Sequence, residues 1–100
     1  MTTIKYNISP GICYCEMSGH ANSGKYGEDV VCAALSILMR LFSNLDNYTE
    51  ETGDGFYSVE CKGTLHNINV FAIVCSGFEM MAEQDPEHEY LHVNPRRGST

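Results

Sequence analysis

Hydrophobic and polar residues alternate near the start of the chain, a pattern typical of β-strands. Residues 2–8 are rich in β-branched side chains, Ser9-Pro10-Gly11 has the composition of a turn, and residues 12–18 resume the alternation. Cys13 and Cys15 share one face of the second segment, because successive side chains of a strand point to opposite sides. The pattern predicts a β-hairpin with both cysteines in the core.

A helical pattern follows the polar residues 22–28. The predicted helix begins with Asp29 as its N-cap and ends near Asn47. Its apolar face comprises Val30, Ala34, Ile37, Leu38, Leu41 and Leu45. At about 100° per residue, Cys32 points away from that face, on the same side as Ser36. Cys32 is therefore not expected to be a core cysteine.

The second half of the chain predicts one more helix between two strands. Residues 50–55 are rich in turn formers, and 56–61 alternate as a strand does. Residues 64–84 contain a β-branched stretch, but their apolar positions fit helical spacing over the longer window. Residues 87–93, after a proline, predict a short final strand.

These elements predict a single α+β domain. Their order is β-β-α-β-α-β, with two helices packed on one face of a four-stranded, mostly antiparallel sheet as a two-layer sandwich. One hundred residues suffice for one such core. We expect residues 1–95 to form the domain and 96–100 to form a polar C-terminal tail.

The charge balance is acidic. Thirteen Asp and Glu against six Lys and Arg give a net charge of −7, and the only basic pair is Arg96-Arg97. Direct binding to nucleic acid is therefore not expected, whereas a basic protein partner would be attracted.

The cysteine count favours a reducing compartment. Five cysteines, an odd number, fit free thiols better than a disulfide framework. The chain shows no basic start followed by an apolar segment, and its pattern suggests no run long enough to span a bilayer. We expect a cytoplasmic protein that does not bind membranes.

His20 and Cys32 carry the candidate chemistry. With Asp29 as N-cap, Cys32 would lie in the first helical turn, where the helix dipole and unpaired N–H groups favour the thiolate. His20 could transfer the proton, and N–H groups at the helix start, including that of Cys32, could bind an oxyanion. From the residues alone, the simpler interpretation is that Cys32 is a buried thiol and His20 a structural loop histidine.

The residues around this pair have two readings each. Gly19 would permit a close backbone approach, Asp29 is a helix cap or a charged partner, and Ser36 bonds in the site or faces water. The polar loop is a substrate lid or a solvated connection. Its residues are Asn22, Ser23, Gly24, Lys25, Tyr26, Gly27 and Glu28.

A longer motif resembles the signature of the bacterial ribosomal-processing cysteine proteases, the Prp family. The matching residues are Gly19-His20-Ala21, Gly27, Asp29, Val31-Cys32-Ala33-Ala34, Ser36 and Leu38. The similarity continues through Asp54-Gly55-Phe56-Tyr57 and through Gly77-Phe78, Met81-Ala82-Glu83-Gln84 and Pro86-Glu87. It thus covers most of the chain.

The resemblance implies a homodimeric α/β cysteine protease without a cofactor. Such an enzyme removes the N-terminal extension of large-subunit ribosomal protein twenty-seven, a basic precursor. It implies that Cys32 is the nucleophile and His20 the base, with Asp29, Ser36 and Gly19 in supporting roles. The short connection Lys62-Gly63 departs from the family pattern, which leaves open a phage or other structural-protein precursor, or a peptide-binding relative without activity.

Two other kinds of site compete with this hypothesis. His88-Glu89-Tyr90-Leu91-His92 matches the H-E-x-x-H expression of zinc proteases, but that site requires a helix and a third ligand. We expect a strand there and no metal. Cys13 and Cys15 lack the spacing and the second pair of a zinc site. Cys32 could also be a redox sensor whose oxidation alters partner binding.

Overall fold

One mixed sheet of five strands is the centre of the fold. The computed structural model describes residues 1–19, 26–87 and 90–96. The strands are β1 (Thr2–Ile8), β2 (Ile12–Ser18), β3 (Thr49–Gly53), β4 (Phe56–Lys62) and β5 (Leu91–Arg96). They lie in the order β3-β4-β2-β1-β5, with β1 parallel to β5 and the other neighbours antiparallel.

The prediction of four strands is wrong by one, because β3 was interpreted as a turn. All five residues of Thr49–Gly53 are exposed, so the strand has no buried side chains to produce an alternating pattern. The hairpin signal was the pair Asp54-Gly55 between β3 and β4. The last strand is also later than predicted, since it begins at Leu91 and includes Arg96.

Two helices cover one face of this sheet. They are α1 (Tyr26–Arg40), which is followed by the 3₁₀ turn Leu41–Asn44, and α2 (Leu65–Glu83). The prediction of α2 is confirmed: the backbone N–H of Asn67 donates to the Thr64 side chain, which caps the helix. The predicted start of α1 is wrong, because Asp29 lies inside the helix instead of capping it.

The predicted loop 22–28 is too long at its C-terminal end, because α1 begins earlier than predicted. Tyr26, Gly27 and Glu28 belong to α1. Asn22, Ser23, Gly24 and Lys25 lie outside the described residues, so the loop prediction remains for those four positions.

The core lies between the sheet and the helices. Cys13 and Cys15 are buried there as predicted, together with Phe42, whose ring is tilted by 46° against that of Phe71 with the centroids 4.9 Å apart. The predicted apolar face of α1 is wrong in part: Leu35 is buried, whereas Ile37 is 67% exposed. Residues 30–42 are apolar on nearly every side, so periodicity could not select the buried face.

Asn67 ties three segments together beneath the sheet. It is 1% exposed, and its amide nitrogen donates to the carbonyl oxygens of Asp46 and Lys62 at 3.1 and 3.0 Å. Its amide oxygen accepts from the backbone N–H of Asp46 at 2.9 Å. Asn67 thereby holds together three segments: the end of β4, the chain before β3 and the first turn of α2.

Helix α2 corrects the expectation that no segment is apolar enough to span a bilayer. An 18-residue window of this 19-residue helix has a mean hydropathy of 1.2 and meets that criterion by length and composition. In this fold it packs on the sheet through Phe71, Val74, Cys75 and Phe78, which are buried. In this fold, therefore, the long apolar helix packs against the core of the protein.

Candidate active site

Cys32 lies on the surface of α1 beside a cavity. Its side chain is exposed, as the helical projection predicted, and the cavity of about 200 Å³ lies between α1 and the ends of three strands. The lining residues are Thr2, Met17, Gly19, Cys32, Leu35, Ser36, Met39, Gly55, Phe56 and Tyr57. An accessible thiol therefore borders a space large enough for one side chain.

The predicted place of Cys32 in the first helical turn is wrong. It is the seventh residue of Tyr26–Arg40, and the effect of a helix dipole falls off within the first turn. The backbone N–H of a residue in the helix interior is used in the helical hydrogen-bond ladder. The N–H of Cys32 is therefore not an available oxyanion donor.

Ser36 lies one turn beyond Cys32 and lines the same cavity. Its hydroxyl donates to the backbone carbonyl oxygen of Cys32 at 2.9 Å. Serine in helices commonly bonds to the carbonyl four residues earlier. The Ser36 hydroxyl is thus engaged with the backbone, and a role toward the thiol remains a prediction.

Gly19 shapes the wall where β2 ends. Its N–H donates to the Gly55 carbonyl oxygen at 3.0 Å, and its φ of 118° lies in the region that favours glycine. A Cβ at this position would lie 2.1 Å from the Met1 carbonyl oxygen. A side chain would therefore force the first strand and the cavity wall apart.

Two predicted site residues are His20 and Asp29. His20 lies outside the described residues, and Asp29 belongs to α1. The pairing of His20 with Cys32 therefore stays a prediction. The chain leaves the cavity wall at Gly19, the residue that precedes His20 in the sequence.

The apolar walls of the cavity were not identified from the sequence. Met17 and Tyr57 are cross-strand partners of β2 and β4, and Leu35 and Met39 come from α1. Strand alternation indicates that Met17 and Tyr57 face the core, but only the pairing register places them side by side. The hydroxyl of Tyr57 donates to Glu50 at 2.6 Å, and burial together with this carboxylate raises the pKa of Tyr57.

The described end of the zinc-protease expression lies in a strand. His92 is part of β5, opposite Thr3 of β1, while His88 and Glu89 lie outside the described residues. Two histidines bind one metal in that expression because a helical turn places them on one face. Within residues 1–19, 26–87 and 90–96, no group of three or more His, Cys, Asp or Glu is placed to hold a metal ion.

The other four cysteines are buried thiols, and none of the five cysteines forms a disulfide. Burial raises the pKa of Cys13, and burial with the neighbouring Cys13 thiol raises the pKa of Cys61 to about 11. The hydrogen bond with Cys15, followed by burial, raises the pKa of Cys75. Thiolate formation at Cys13, Cys61 and Cys75 is therefore disfavoured, and Cys32 is the one exposed thiol of the five.

We expect a thiol reagent to distinguish Cys32 from the other cysteines. Under native conditions one thiol should react quickly, and unfolding should expose all five. The measurement is a colorimetric disulfide-exchange titration with and without denaturant. The Cys32→Ala variant provides the control and should lose the fast phase; its persistence would show that a core cysteine is the reactive one.

The fold and this cavity define a class of protein: a small α+β domain with one accessible thiol beside a pocket of side-chain size. The family model of the cysteine protease Prp matches residues 1–89, and the chain belongs to this family. The resemblance inferred from the sequence is thereby confirmed.

Solved structures show the same fold. The protein SMU.848 of Streptococcus mutans superposes with a TM-score of 0.73 at 28% identity, over 97% of this chain and 95% of that one. The ribosomal processing protease Prp of S. aureus with a covalently linked product peptide gives 0.72 at 18%, over 96% and 100%. Its complex with a substrate peptide gives 0.72 at 19%, over the same fractions. Curated protein sequences gave no match.

Proposed function

We propose that this protein is a cysteine endopeptidase that removes the N-terminal extension of large-subunit ribosomal protein twenty-seven during ribosome assembly. The observation that carries the proposal is the exposed Cys32 beside a cavity in a chain of the Prp family. The similar S. aureus protein is a ribosomal processing protease crystallised with substrate and product peptides. A net charge of −7 suits a basic precursor.

The proposed reaction uses Cys32 and His20 as a pair. His20 takes the thiol proton, and the thiolate sulfur bonds to the scissile carbonyl carbon. The carbon–nitrogen bond then breaks, and the imidazolium gives its proton to the leaving amine. Water, deprotonated by His20, attacks the thioester and releases the carboxylate and the thiol.

The cavity beside Cys32 supplies substrate selection in this proposal. Its walls are apolar, with Met17, Leu35, Met39 and Phe56 among them, and its volume of about 200 Å³ suits one large side chain. A peptide with an aromatic or long aliphatic residue next to the scissile bond fits this space. Asn22 to Lys25 remain the proposed lid over the bound peptide.

Cleavage of the extended ribosomal precursor tests the function. The purified protein is incubated with the precursor alone, with a thiol alkylator or with a zinc chelator. We expect cleavage alone and with the chelator, and none after alkylation. Loss of cleavage only with the chelator would contradict the thiol mechanism. No cleavage in any arm would leave a different structural-protein precursor or a binding function without catalysis.

We also propose that the protein is a homodimer in the cytoplasm. A groove of about 560 Å³ between α1 and α2 is lined by Ala34, Ile37, Leu38, Gly77, Met80 and Met81, with Glu83 and Gln84 at its border. Ile37 and Met80 are 67% and 65% exposed, and exposed apolar patches of this kind mark contact surfaces. A second copy would bury them.

Sedimentation tests the dimer. We expect Ile37→Glu and Met80→Glu to lower the sedimenting mass toward the 11.1 kDa of one chain. Leu65→Glu is the matched control, since Leu65 is 77% exposed at the start of α2 and does not line the groove. A single-chain mass for the unmodified protein would contradict the dimer.

A further inference from the structure

The open face of the sheet, opposite the helices, carries a second cavity that the proposed reaction does not use. This acidic pocket has a volume of about 210 Å³ and lies over β2, β3 and β4. Its lining residues are Tyr14, Thr49, Glu51, Phe56, Ser58 and Glu60. It contains two carboxylates, two hydroxyl-bearing aliphatic side chains and two aromatic rings.

The carboxylates of the acidic pocket form no ion pair within the part of the chain whose side chains are described. Glu51 is opposite Ser58, and Glu60 is opposite Thr49 on one side and Tyr14 on the other. Glu16 adds a third carboxylate opposite Ser58 from β2, and on its other side Glu16 faces Lys5 of β1. Among residues whose side chains the structure describes, no cationic group pairs with Glu51 or Glu60. Glu51 and Glu60 are diagonal neighbours across β3 and β4, at a typical separation of about 7–8 Å, so both carboxylates border the same space.

The hydroxyl of Ser58 is accessible to a ligand from the acidic pocket. Ser58 is only 8% exposed and lines the pocket, and its hydroxyl makes no hydrogen bond within the described part of the chain. Among the described residues no buried side-chain nitrogen or oxygen lacks a partner, so the Ser58 oxygen is open to the solvent of the pocket. A hydroxyl that opens into a space bordered by carboxylates is placed to accept from a cationic donor.

The aromatic rings favour an organic cation. Tyr14 and Phe56 border the same space, and aromatic faces attract guanidinium and ammonium groups. Burial and the carboxylates of Glu16 and Glu60 raise the pKa of Tyr14, which reflects the negative potential there. The described residues form no three-ligand group for a metal ion. A planar guanidinium can bond to two carboxylates and stack on a ring at once.

Phe56 connects the acidic pocket with the Cys32 cavity. It is 38% exposed at the start of β4 and lines both spaces. A chain bound at Cys32 can therefore pass around Phe56 and reach the open face within a few residues. The two cavities are neighbouring parts of one surface.

We propose that the acidic pocket binds an arginine side chain of a basic polypeptide, close in sequence to the segment at Cys32. The identification of that polypeptide as the substrate rests on the proposed function, whereas binding of the cation does not. Glu51 and Glu60 pair with the guanidinium, Ser58 accepts one of its N–H groups, and the rings of Tyr14 and Phe56 flank it. Lysine binds more weakly because it cannot bridge both carboxylates.

A peptide titration followed by ¹H–¹⁵N NMR tests this site on the full chain. The probes are acetyl-Gly-Arg-Gly-amide and its counterparts with lysine or uncharged citrulline. We expect the arginine peptide to shift the resonances of Tyr14, Glu51, Ser58 and Glu60, the lysine peptide to bind less tightly, and citrulline to bind least. The double substitution Glu51→Gln and Glu60→Gln should weaken arginine binding about tenfold.

A charge-matched variant provides the control. Asp46→Asn with Glu87→Gln removes the same charge from exposed positions outside the acidic pocket and should leave binding unchanged. Equal loss in both variants, equal binding of citrulline, or shifts spread over all acidic residues would overturn the proposal. The titration measures binding and does not depend on turnover. If the arginine peptide binds here but the separate cleavage assay shows no cleavage of the precursor, the proposed function is contradicted and the arginine site is not.

Discussion

We expect Cys32→Ala to abolish cleavage of the extended precursor while the fold persists. Removal of a nucleophile from a catalytic pair typically lowers the rate by about 10⁴-fold or more. Cys32 is exposed and makes no core contact that alanine would lose, so the urea unfolding midpoint should change little. The measurements are the cleavage rate by gel or mass spectrometry and the unfolding midpoint.

His20→Ala should lower the cleavage rate to a similar extent, because both groups act on one proton. Combining the two substitutions should cost little more than either alone, as expected for residues that work as a unit. Ser43→Ala, at an exposed position outside the Cys32 cavity, is the control and should retain full activity. Near-normal cleavage by either single variant would remove the Cys-His pair from the mechanism.

Asn67→Leu should destabilise the protein more than a change at any exposed position. The substitution leaves the Asp46 N–H and the carbonyl oxygens of Asp46 and Lys62 without their buried partner. Each unsatisfied buried group costs about 1–3 kcal/mol, so the free energy of unfolding should fall by about 3–5 kcal/mol. Urea denaturation followed by circular dichroism measures this loss.

Asn69→Leu is the matched control for Asn67→Leu. It makes the same chemical change two residues further along α2, at an exposed position. Its effect on the unfolding midpoint should be small. Similar losses in the two variants would mean that the introduced leucine, and not the loss of the hydrogen bonds of Asn67, determines the effect.

Local sequence patterns were sufficient to predict an element where one of its faces is buried and the other is exposed to solvent. The alternation around Cys13 and Cys15 placed both cysteines in the core, and Thr64 marked the start of α2. The outward direction of Cys32 followed from helical geometry. These features depend on residues within a few positions of one another.

Patterns failed where both sides of an element have the same polarity. Strand β3 is exposed on both faces, so no alternating pattern predicts it. Helix α1 is apolar on nearly every side, so periodicity does not predict that Leu35 is buried and Ile37 exposed. The start of α1 was misplaced because Asp29 has the chemistry of a cap but lies within the helix.

The sequence by itself determined the α+β class, the core cysteines, the exposure of Cys32 and, through its long motif, the Prp family. Tertiary structure decided what surrounds the thiol, since Met17, Leu35 and Phe56 meet there only after two strands pair and α1 packs on them. It also placed Phe56 between two cavities and Glu51 beside Ser58. Cross-strand register brings together residues far apart in the chain, and local side-chain periodicity carries no record of that pairing.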